Sequence, residues 1–267
     1  MPEGLTSIGD GAFSSCTSLS SITMPEGIIS IGDGAFHSCT SLSSITMPEG
    51  LTSIGSIAFY CCTSLSSITM PESIEKMGHN PFENDIININ VTPDHPYLAV
   101  IDGVLFSKPD KRLIYFPDIR DTYAVPNGIQ CIGDGAFFSC TSLSSITMPE
   151  GIISIGDHAF YDCVSLNSIT IPEGLTNIGD GAFSGCASLS NIMMSEGLTS
   201  IGNSAFYDCA SLSSITIPDS VTTIGGSVFS GCDNVLITVH RDTYAAEYCK
   251  KNGLNYTYPD ANDWLNN

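Results

Sequence analysis

Apolar residues recur along this chain in two short bursts every 23 residues. In the first copy one burst is Leu5 and Ile8, within "LTSIG", and the other is Leu19, Ile22 and Met24, within "LSSITM". Ser21 and Thr23 flank Ile22, which is the alternation of a short strand with one buried face. Strand alternation turns Ser21 and Thr23 outward. The "GDGAF" between the bursts has room only for a turn or a short 3₁₀ element.

Units begin at Leu5, Ile28, Leu51, Ile74, Ile129, Ile152, Leu175, Leu198 and Val221, so the chain holds nine copies to compare. Three columns are nearly constant. Phe stands at Phe13, Phe36, Phe59, Phe82, Phe137, Phe160, Phe183, Phe206 and Phe229, as expected of a spine stacked in a shared core. Gly stands at Gly9, Gly32, Gly55, Gly78, Gly133, Gly156, Gly179, Gly202 and Gly225, which predicts either a positive φ or a close turn. Pro fills the column Pro2, Pro25, Pro48, Pro71, Pro126, Pro149, Pro172 and Pro218, with Ser195 as the exception, and stops the preceding strand because it has no N–H for a ladder. A unit this short cannot bury its own apolar face. Stacking the units buries one continuous core, with coils about 4.7–4.9 Å apart.

One interval breaks the period: positions 74 to 129 span 55 residues, 32 more than one unit. Within it, Val104 to Phe106 and Leu113 to Phe116 are β-rich runs separated by Lys108-Pro109-Asp110-Lys111, a turn composition. The fourth unit departs from the template, with Pro81 for Ala and Asp85 at a Cys position, and this is expected to be where the insert leaves the coil. Alanine-rich 243–252 predicts a short helix ending at Gly253.

The pattern, with Ile-Gly, Ala-Phe, Cys, Leu-x-x-Ile and Pro at fixed offsets over residues 2 to about 240, resembles the leucine-rich repeats of the BspA-like group, also called the treponemal class. Residues 97–117 resemble the hairpin unit that interrupts such arrays, and residues 242–258 resemble their helix-plus-strand cap. The resemblance implies a leucine-rich-repeat solenoid: a β-rich, right-handed superhelix of 23-residue coils with short 3₁₀ or turn segments, one inserted β-hairpin unit and a C-terminal helix-strand cap. The expected divisions of this one solenoid domain are residues 1–83, the insert 84–128, residues 129–240 and the cap and tail 241–267.

Composition narrows the partners. The chain is 42% hydrophobic, enough for a core, and only 13% charged, so its polarity rests on Ser, Thr, Asn and Gly. Twenty-eight acidic residues face eight basic ones, a net charge of −20, which disfavours nucleic acid and anionic membranes. No apolar run reaches the roughly 20 residues that span a bilayer, and no signal peptide is visible. Membrane insertion is not expected, and the acidic surface is expected to keep the chain monomeric. Met1 falls where the repeat itself has Met, as at Met24 and Met47, so the sequence reads as a fragment opening at a repeat junction; any export signal is then expected upstream.

The chemistry is sparse. A Cys column runs through Cys16, Cys39, Cys62, Cys140, Cys163, Cys186, Cys209 and Cys232, with Cys61, Cys131 and Cys249 outside it. Disulfides, a metal array and a column of small buried thiols compete to explain it. In-register side chains point the same way, against the near-perpendicular disulfide dihedral, and the eleven cysteines are odd in number. A straight column does not converge on four ligands around one point. Structural thiols, packing as small hydrophobes, are therefore expected, with no metal and no cofactor. His37, His79, His95, His158 and His240 do not pair at a ligand spacing, and no Gly-x-Ser-x-Gly elbow or P-loop lysine occurs. No constellation supports an enzyme.

Three surfaces are candidates for binding a protein or glycan ligand. The first is the outward face of the main strand: Ser44 and Thr46, Ser67 and Thr69, Ser145 and Thr147, Ser168 and Thr170. The second is the column after the core Phe, where Tyr60, Phe138, Tyr161 and Tyr207 stand. The third is the insert, with Lys108, Lys111 and Arg112, because loops on rigid scaffolds often carry function. What the resemblance implies is a non-enzymatic microbial surface adhesin that contacts host or neighbouring-cell macromolecules. The alternative is a structural spacer, or an intracellular scaffold, with no dedicated ligand.

Overall fold

The computed structural model describes residues 1–82, 87–117 and 120–259. The chain divides into two compact units, Met1–Ile119 with Gly133–Phe138, and Arg120–Ile132 with Ser139–Asn267. Each is a β-solenoid of short parallel strands, one or two to a coil.

In the first unit two-residue and three-residue strands alternate: β1 (Ser7–Ile8), β2 (Ser21–Thr23), β3 (Ser30–Ile31), β4 (Ser44–Thr46), β5 (Ser53–Ile54), β6 (Ser67–Thr69), β7 (Lys76–Met77) and β8 (Asn88–Asn90). The two-residue strands form one parallel ladder, β1-β3-β5-β7, in register at the repeat spacing: Ile8 pairs with Ile31, and Ile31 with Ile54. The turns are laddered as well. Phe13 N–H donates to Ala35 O at 2.7 Å, and Phe36 N–H to Ala58 O at 2.8 Å. Backbone groups of the turns are thus bonded to the coil beside them as well as within their own coil, which lets so short a strand persist. Among the described residues the "GDGAF" stretches are turns, and no 3₁₀ helix forms.

The Phe column is the spine. Phe13 stacks on Phe36 at 5.2 Å, Phe36 on Phe59 at 5.4 Å and Phe59 on Phe82 at 5.8 Å, the first two pairs with planes within 2° of parallel. Phe36, Phe59 and Phe82 are fully buried, and the Leu and Ile of the two bursts complete the core around them.

The fourth coil corrects one expectation. The departures there do not end the main ladder, since β8 pairs in parallel with β6, Ile68 opposite Ile89. Ser67 meets Asn88, so this coil is two residues short of the repeat, and residues 88–90, counted above with the insert, belong to the array. Asp85, at the missing Cys position, lies outside the described residues.

The insert is larger than the expected hairpin. It is a three-stranded antiparallel meander of β9 (Leu98–Ile101), β10 (Val104–Ser107) and β11 (Arg112–Tyr115). The extra strand is joined by Asp102-Gly103, both with positive φ (52° and 83°), the geometry that suits a two-residue hairpin. The Asp-Gly pair was the available signal. The meander also continues the spine: Tyr115 meets Phe82 edge-on at 5.8 Å, and Phe116 packs on Phe137 at 4.8 Å. His95 anchors its start. This side chain is wholly buried; Nε2 donates to Pro71 O at 3.0 Å, and Nδ1 accepts the N–H groups of Tyr97 and Leu98, each at 3.1 Å.

The second unit resumes the alternation with β12 (Thr122–Ala124), β13 (Cys131–Ile132), β14 (Ser145–Thr147), β15 (Ser154–Ile155), β16 (Ser168–Thr170), β17 (Asn177–Ile178), β18 (Asn191–Met193), β19 (Ser200–Ile201), β20 (Ser214–Thr216), β21 (Thr223–Ile224) and β22 (Leu236–Thr238). Residues 122–124, also assigned to the insert from sequence, start the main ladder of this unit by pairing with β14. Phe160, Phe183, Phe206 and Phe229 stack at 5.2, 5.4 and 5.8 Å. Helix α1 (Tyr244–Lys251) and strand β23 (Tyr256–Thr257) cover the last coil, β23 pairing with β22. Thr243 caps the helix by accepting Ala246 N–H at 3.2 Å. Gly253, at φ 65°, ends it, and Leu254 N–H returns to Cys249 O at 3.0 Å, a Schellman closure.

Candidate functional site

The main-strand candidates form a flat hydroxyl face within each unit. Ser44, Thr46, Ser67, Thr69, Thr147, Ser168 and Thr170 are exposed and Ser145 is half-buried. Their partners in the ladder are copies of themselves, Ser145 opposite Ser168 and Thr147 opposite Thr170. Such a face presents repeated short hydroxyls and little that distinguishes one ligand from another. It is interrupted at Met193, which is 73% exposed. Beside Met193 lies a cleft of about 640 Å³, lined also by Glu150, Glu173, Glu196, Ile171 and Ser195. This acid-rimmed cleft was not foreseen, although its cause is legible: Met for Thr at 193 and Ser for Pro at 195 are departures from the template.

The aromatic column sits on a different edge. In the first unit His37 and Tyr60 stack at 4.8 Å with planes 3° apart, both half-buried. Adjacent rings one coil apart therefore cover one another. Phe138 is half-buried in the first unit. In the second unit Tyr161 is half-buried and Tyr207 is 41% exposed; between them in the column stands Ser184. These three line a cleft of about 400 Å³ with His158, Asp180, Gly181, Asn203 and Ser204. Asp180 and Asn203 are held in place: Asp180 Oδ1 accepts the Asn203 backbone N–H at 2.6 Å, and Asn203 Oδ1 accepts Gly226 N–H at 2.8 Å.

The insert cations are used internally. Lys108 Nζ donates to His95 O at 2.5 Å, and Arg112 donates to Met77 O at 3.1 Å while facing Asp110 at 3.7 Å. Lys111, at the hairpin tip, is exposed. A cleft of about 550 Å³ lies between the meander and the two-residue ladder, lined among others by Glu75, Lys76, His79, Asp110 and Arg112, a mixture of charges that selects neither sign.

The thiol column lies beneath the turns. Cys39, Cys62, Cys140, Cys163, Cys186, Cys209 and Cys232 are buried, and Cys16 is exposed. No disulfide joins any of the eleven cysteines. Thiols of the column donate to the carbonyl of the Phe 26 residues earlier: Cys39 to Phe13 at 3.0 Å, Cys186 to Phe160 at 3.1 Å and Cys232 to Phe206 at 3.0 Å. Burial pushes the Cys186 thiol up to about 12 and that of Cys249 up to about 11, so both stay protonated at neutral pH. Among the described residues no group of three or more His, Cys, Asp or Glu side chains could hold a metal ion, and no helix is long and apolar enough to cross a membrane.

The repeat, its spine and its ladders match a family model described as the BspA type leucine rich repeat region, over residues 1–108 and 120–236. The chain belongs to the BspA-type leucine-rich repeat family. Among solved structures it is similar to a leucine rich cell surface protein from Faecalibacterium prausnitzii, at 32% identity and a TM-score of 0.75 over 91% of this chain. It spans 65% of that protein. The pneumococcal vaccine antigen PcpA shares the fold, with a TM-score of 0.78 at 24% identity over 95% of this chain and 71% of the antigen. So does a leucine-rich repeat protein from Eubacterium ventriosum, with a TM-score of 0.54 at 22% identity over 86% of this chain and 81% of that one. No protein of curated function matches. Leucine-rich repeat arrays of this family are in general binding scaffolds rather than enzymes.

Proposed function

We propose that this BspA-type repeat chain is a non-enzymatic adhesion module, displayed on a microbial cell surface, that binds host or neighbouring-cell proteins or glycans. The observation that carries this reading is the likeness, along 91% of the chain, to a bacterial protein named for its place on the cell surface. The architecture supports it: two laddered units, each a rigid frame, present side chains at fixed spacing, and rigid presentation lowers the ordering entropy of binding.

A screen of the chain against extracellular-matrix proteins and glycans tests the proposal, with surface variants in each candidate region: Thr147→Lys and Thr170→Lys on the hydroxyl face, Tyr207→Ala in the aromatic column and Lys111→Ser at the hairpin tip. Binding at micromolar concentration that one set abolishes supports the adhesin and locates its face. Silence against the whole panel sinks it. The complete gene gives a second check, since a surface protein requires an export signal or a wall anchor.

The monotony of the Ser/Thr face favours one other reading, a spacer that holds other domains away from the cell. It predicts that the chain binds nothing in that screen and that lengthening or shortening the array by whole coils leaves function intact.

A further inference from the structure

Two departures from the repeat fall together at the acid-rimmed cleft beside Met193. At the ladder position of Met193 the neighbouring coils carry Thr170 and Thr216. At the position of Ser195 the other coil junctions carry Pro. The first change sets an apolar side chain, 73% exposed, on a hydroxyl face, and buried Ile171 lines the same cleft. A thioether is flexible and polarisable, and moulds itself to an apolar partner. The second change puts a hydroxyl in the cleft wall. Its oxygen is buried and has no hydrogen-bond partner. A buried polar atom left in that state is unfavourable, and a donor arriving in the cleft would satisfy it.

The rim supplies charge. The Glu-Gly turns of successive coils stack directly: a Cβ on Gly174 would stand 3.1 Å from Glu150 O, and one on Gly197 2.7 Å from Glu173 O. Glu150, Glu173 and Glu196 therefore stand in one row at the coil spacing, about 4.7–4.9 Å. All three are exposed. Glu150 is partly engaged, since its Oε2 accepts Glu173 N–H at 3.2 Å. Among the described residues no hydrogen bond or ion pair engages the carboxylates of Glu173 and Glu196. The surrounding coils cannot supply a lysine or arginine, because none occurs between positions 121 and 240. The row does not form a cluster that could hold a metal ion. What complements it is a cation with an apolar stem. The methylenes of an arginine lie along Met193 while its guanidinium fork meets carboxylates. In an extended peptide, residues two apart share a face, so an apolar side chain two positions away reaches the same cleft, and the backbone N–H groups offer Ser195 its missing donor.

We infer that this cleft docks an extended segment of a partner protein that carries an arginine and an apolar residue two positions apart, the arginine on Glu173 and Glu196 and the apolar side chain on Met193 and Ile171. The inference rests on the binding reading above and gives it a ligand class.

The test is fluorescence anisotropy of a labelled peptide, Gly-Arg-Ser-Leu-Ser-Gly, titrated with the intact chain. Binding is expected at a Kd of about 0.1 mM or tighter at low salt, weakening as salt is raised. Replacing the peptide's arginine with citrulline, or its leucine with serine, should weaken binding about tenfold. Met193→Thr restores the residue of the adjoining coils, so the fold is kept and the net charge is unchanged; it should weaken binding about fivefold or more. Glu173→Gln with Glu196→Gln should weaken it about tenfold. Glu49→Gln with Glu72→Gln removes the same charge from the same column in the first unit, and should leave binding unchanged. No binding of the peptide, equal binding of the citrulline or serine peptide, undiminished binding by Met193→Thr, or equal losses from the two glutamine pairs would each overturn the inference. So would self-association in sedimentation velocity that Met193→Thr abolishes, since a second copy would then occupy the cleft. A chain that binds matrix proteins or glycans but not this peptide defeats this inference alone; a chain that binds nothing defeats the adhesin reading with it.

Discussion

The thiol of Cys39 donates a hydrogen bond to the carbonyl oxygen of Phe13, 3.0 Å away and one coil back. Phe13 O already accepts Cys16 N–H from its own coil at 3.1 Å. The thiol takes the second lone pair of a carbonyl under the turn. Alanine is small enough for this place but has no proton to give. The column is therefore occupied by a side chain that is both small and a donor.

Cys209, buried with its thiol 3.1 Å from Phe183 O, puts this to the test. Cys209→Ala should lower stability by about 1–2 kcal/mol, the sum of a small cavity and a weak S–H···O bond. Cys209→Leu should be worse, about 3 kcal/mol, because the coils cannot separate to admit it. Denaturant titration of the two variants gives the order; a milder effect for Leu than for Ala would show that the site is not tightly packed.

Thiol burial also sets an alkaline limit. Cys186 moves from 9.0 to about 12 and Cys249 from 9.0 to about 11, both chiefly through burial. The unfolded chain loses these protons first as pH rises, so it binds fewer protons than the native state, and stability falls with pH. This contribution is intact below about pH 9 and is lost progressively toward pH 11–12. Melting temperature measured from pH 8 upward should decline across that window, and Cys186→Ala should flatten the decline. In native protein at neutral pH a thiol reagent should modify exposed Cys16 first, with the buried column reacting only after unfolding.

The invariant glycine was expected to supply positive φ or a close turn, and the structure assigns it a different duty. A Cβ at Gly202 would stand 2.5 Å from Asp180 N and from Gly179 C, in the backbone of the preceding coil. The same holds at Gly55, against Asp33 N and Gly32 C. Gly9, with no described coil before it, has nothing within 4 Å. Gly202→Ala should therefore cost about 3 kcal/mol through forced separation of two coils, and Gly9→Ala almost nothing. Equal effects in thermal unfolding would refute the close-approach account.

Positive φ belongs two residues later in each coil, at Gly11 (60°), Gly34 (58°), Ile57 (48°), Asn80 (26°), Gly135 (60°), His158 (53°), Gly181 (58°), Ser204 (53°) and Ser227 (56°). At Ile57 a β-branched side chain occupies a left-handed conformation that disfavours it by about 1–2 kcal/mol. It is 40% exposed, so little packing is lost with it. Ile57→Gly should raise stability by about 0.5–1 kcal/mol, the strain relieved less the greater chain entropy of glycine. A fall in melting temperature would mean that the isoleucine packs more than its exposure suggests.

His95 should matter more than any residue of the hairpin tip. In His95→Leu the N–H groups of Tyr97 and Leu98 and the carbonyl of Pro71 lose a buried partner, a change of about 2–4 kcal/mol. The loss should be local. Amide hydrogen exchange at Tyr97, Leu98 and along β9 should accelerate, while β14 to β22 keep their protection.

Much of the architecture was legible because the chain carries its own alignment. Nine copies placed Phe13 and its equivalents in one column, Ile22 inside and Ser21 and Thr23 outside, and the helix at 243–252 was marked by its Gly253 terminator. Each of these rests on interactions whose pattern recurs within one unit. The third strand of the insert was legible too, in Asp102-Gly103, but only to a reader who weighed the turn above the apolar runs. What the tertiary structure alone decided involves atoms in neighbouring coils. Whether a glycine serves φ or close approach depends on what stands one coil back, which no local pattern contains. The proton that Cys39 gives Phe13 and the fixing of Lys108 and Arg112 to carbonyls of other segments arise in the same way. The repeat determines that coils stack; the stacking distance, about 4.7–4.9 Å, then determines which side chains clash, bond or leave room for a ligand.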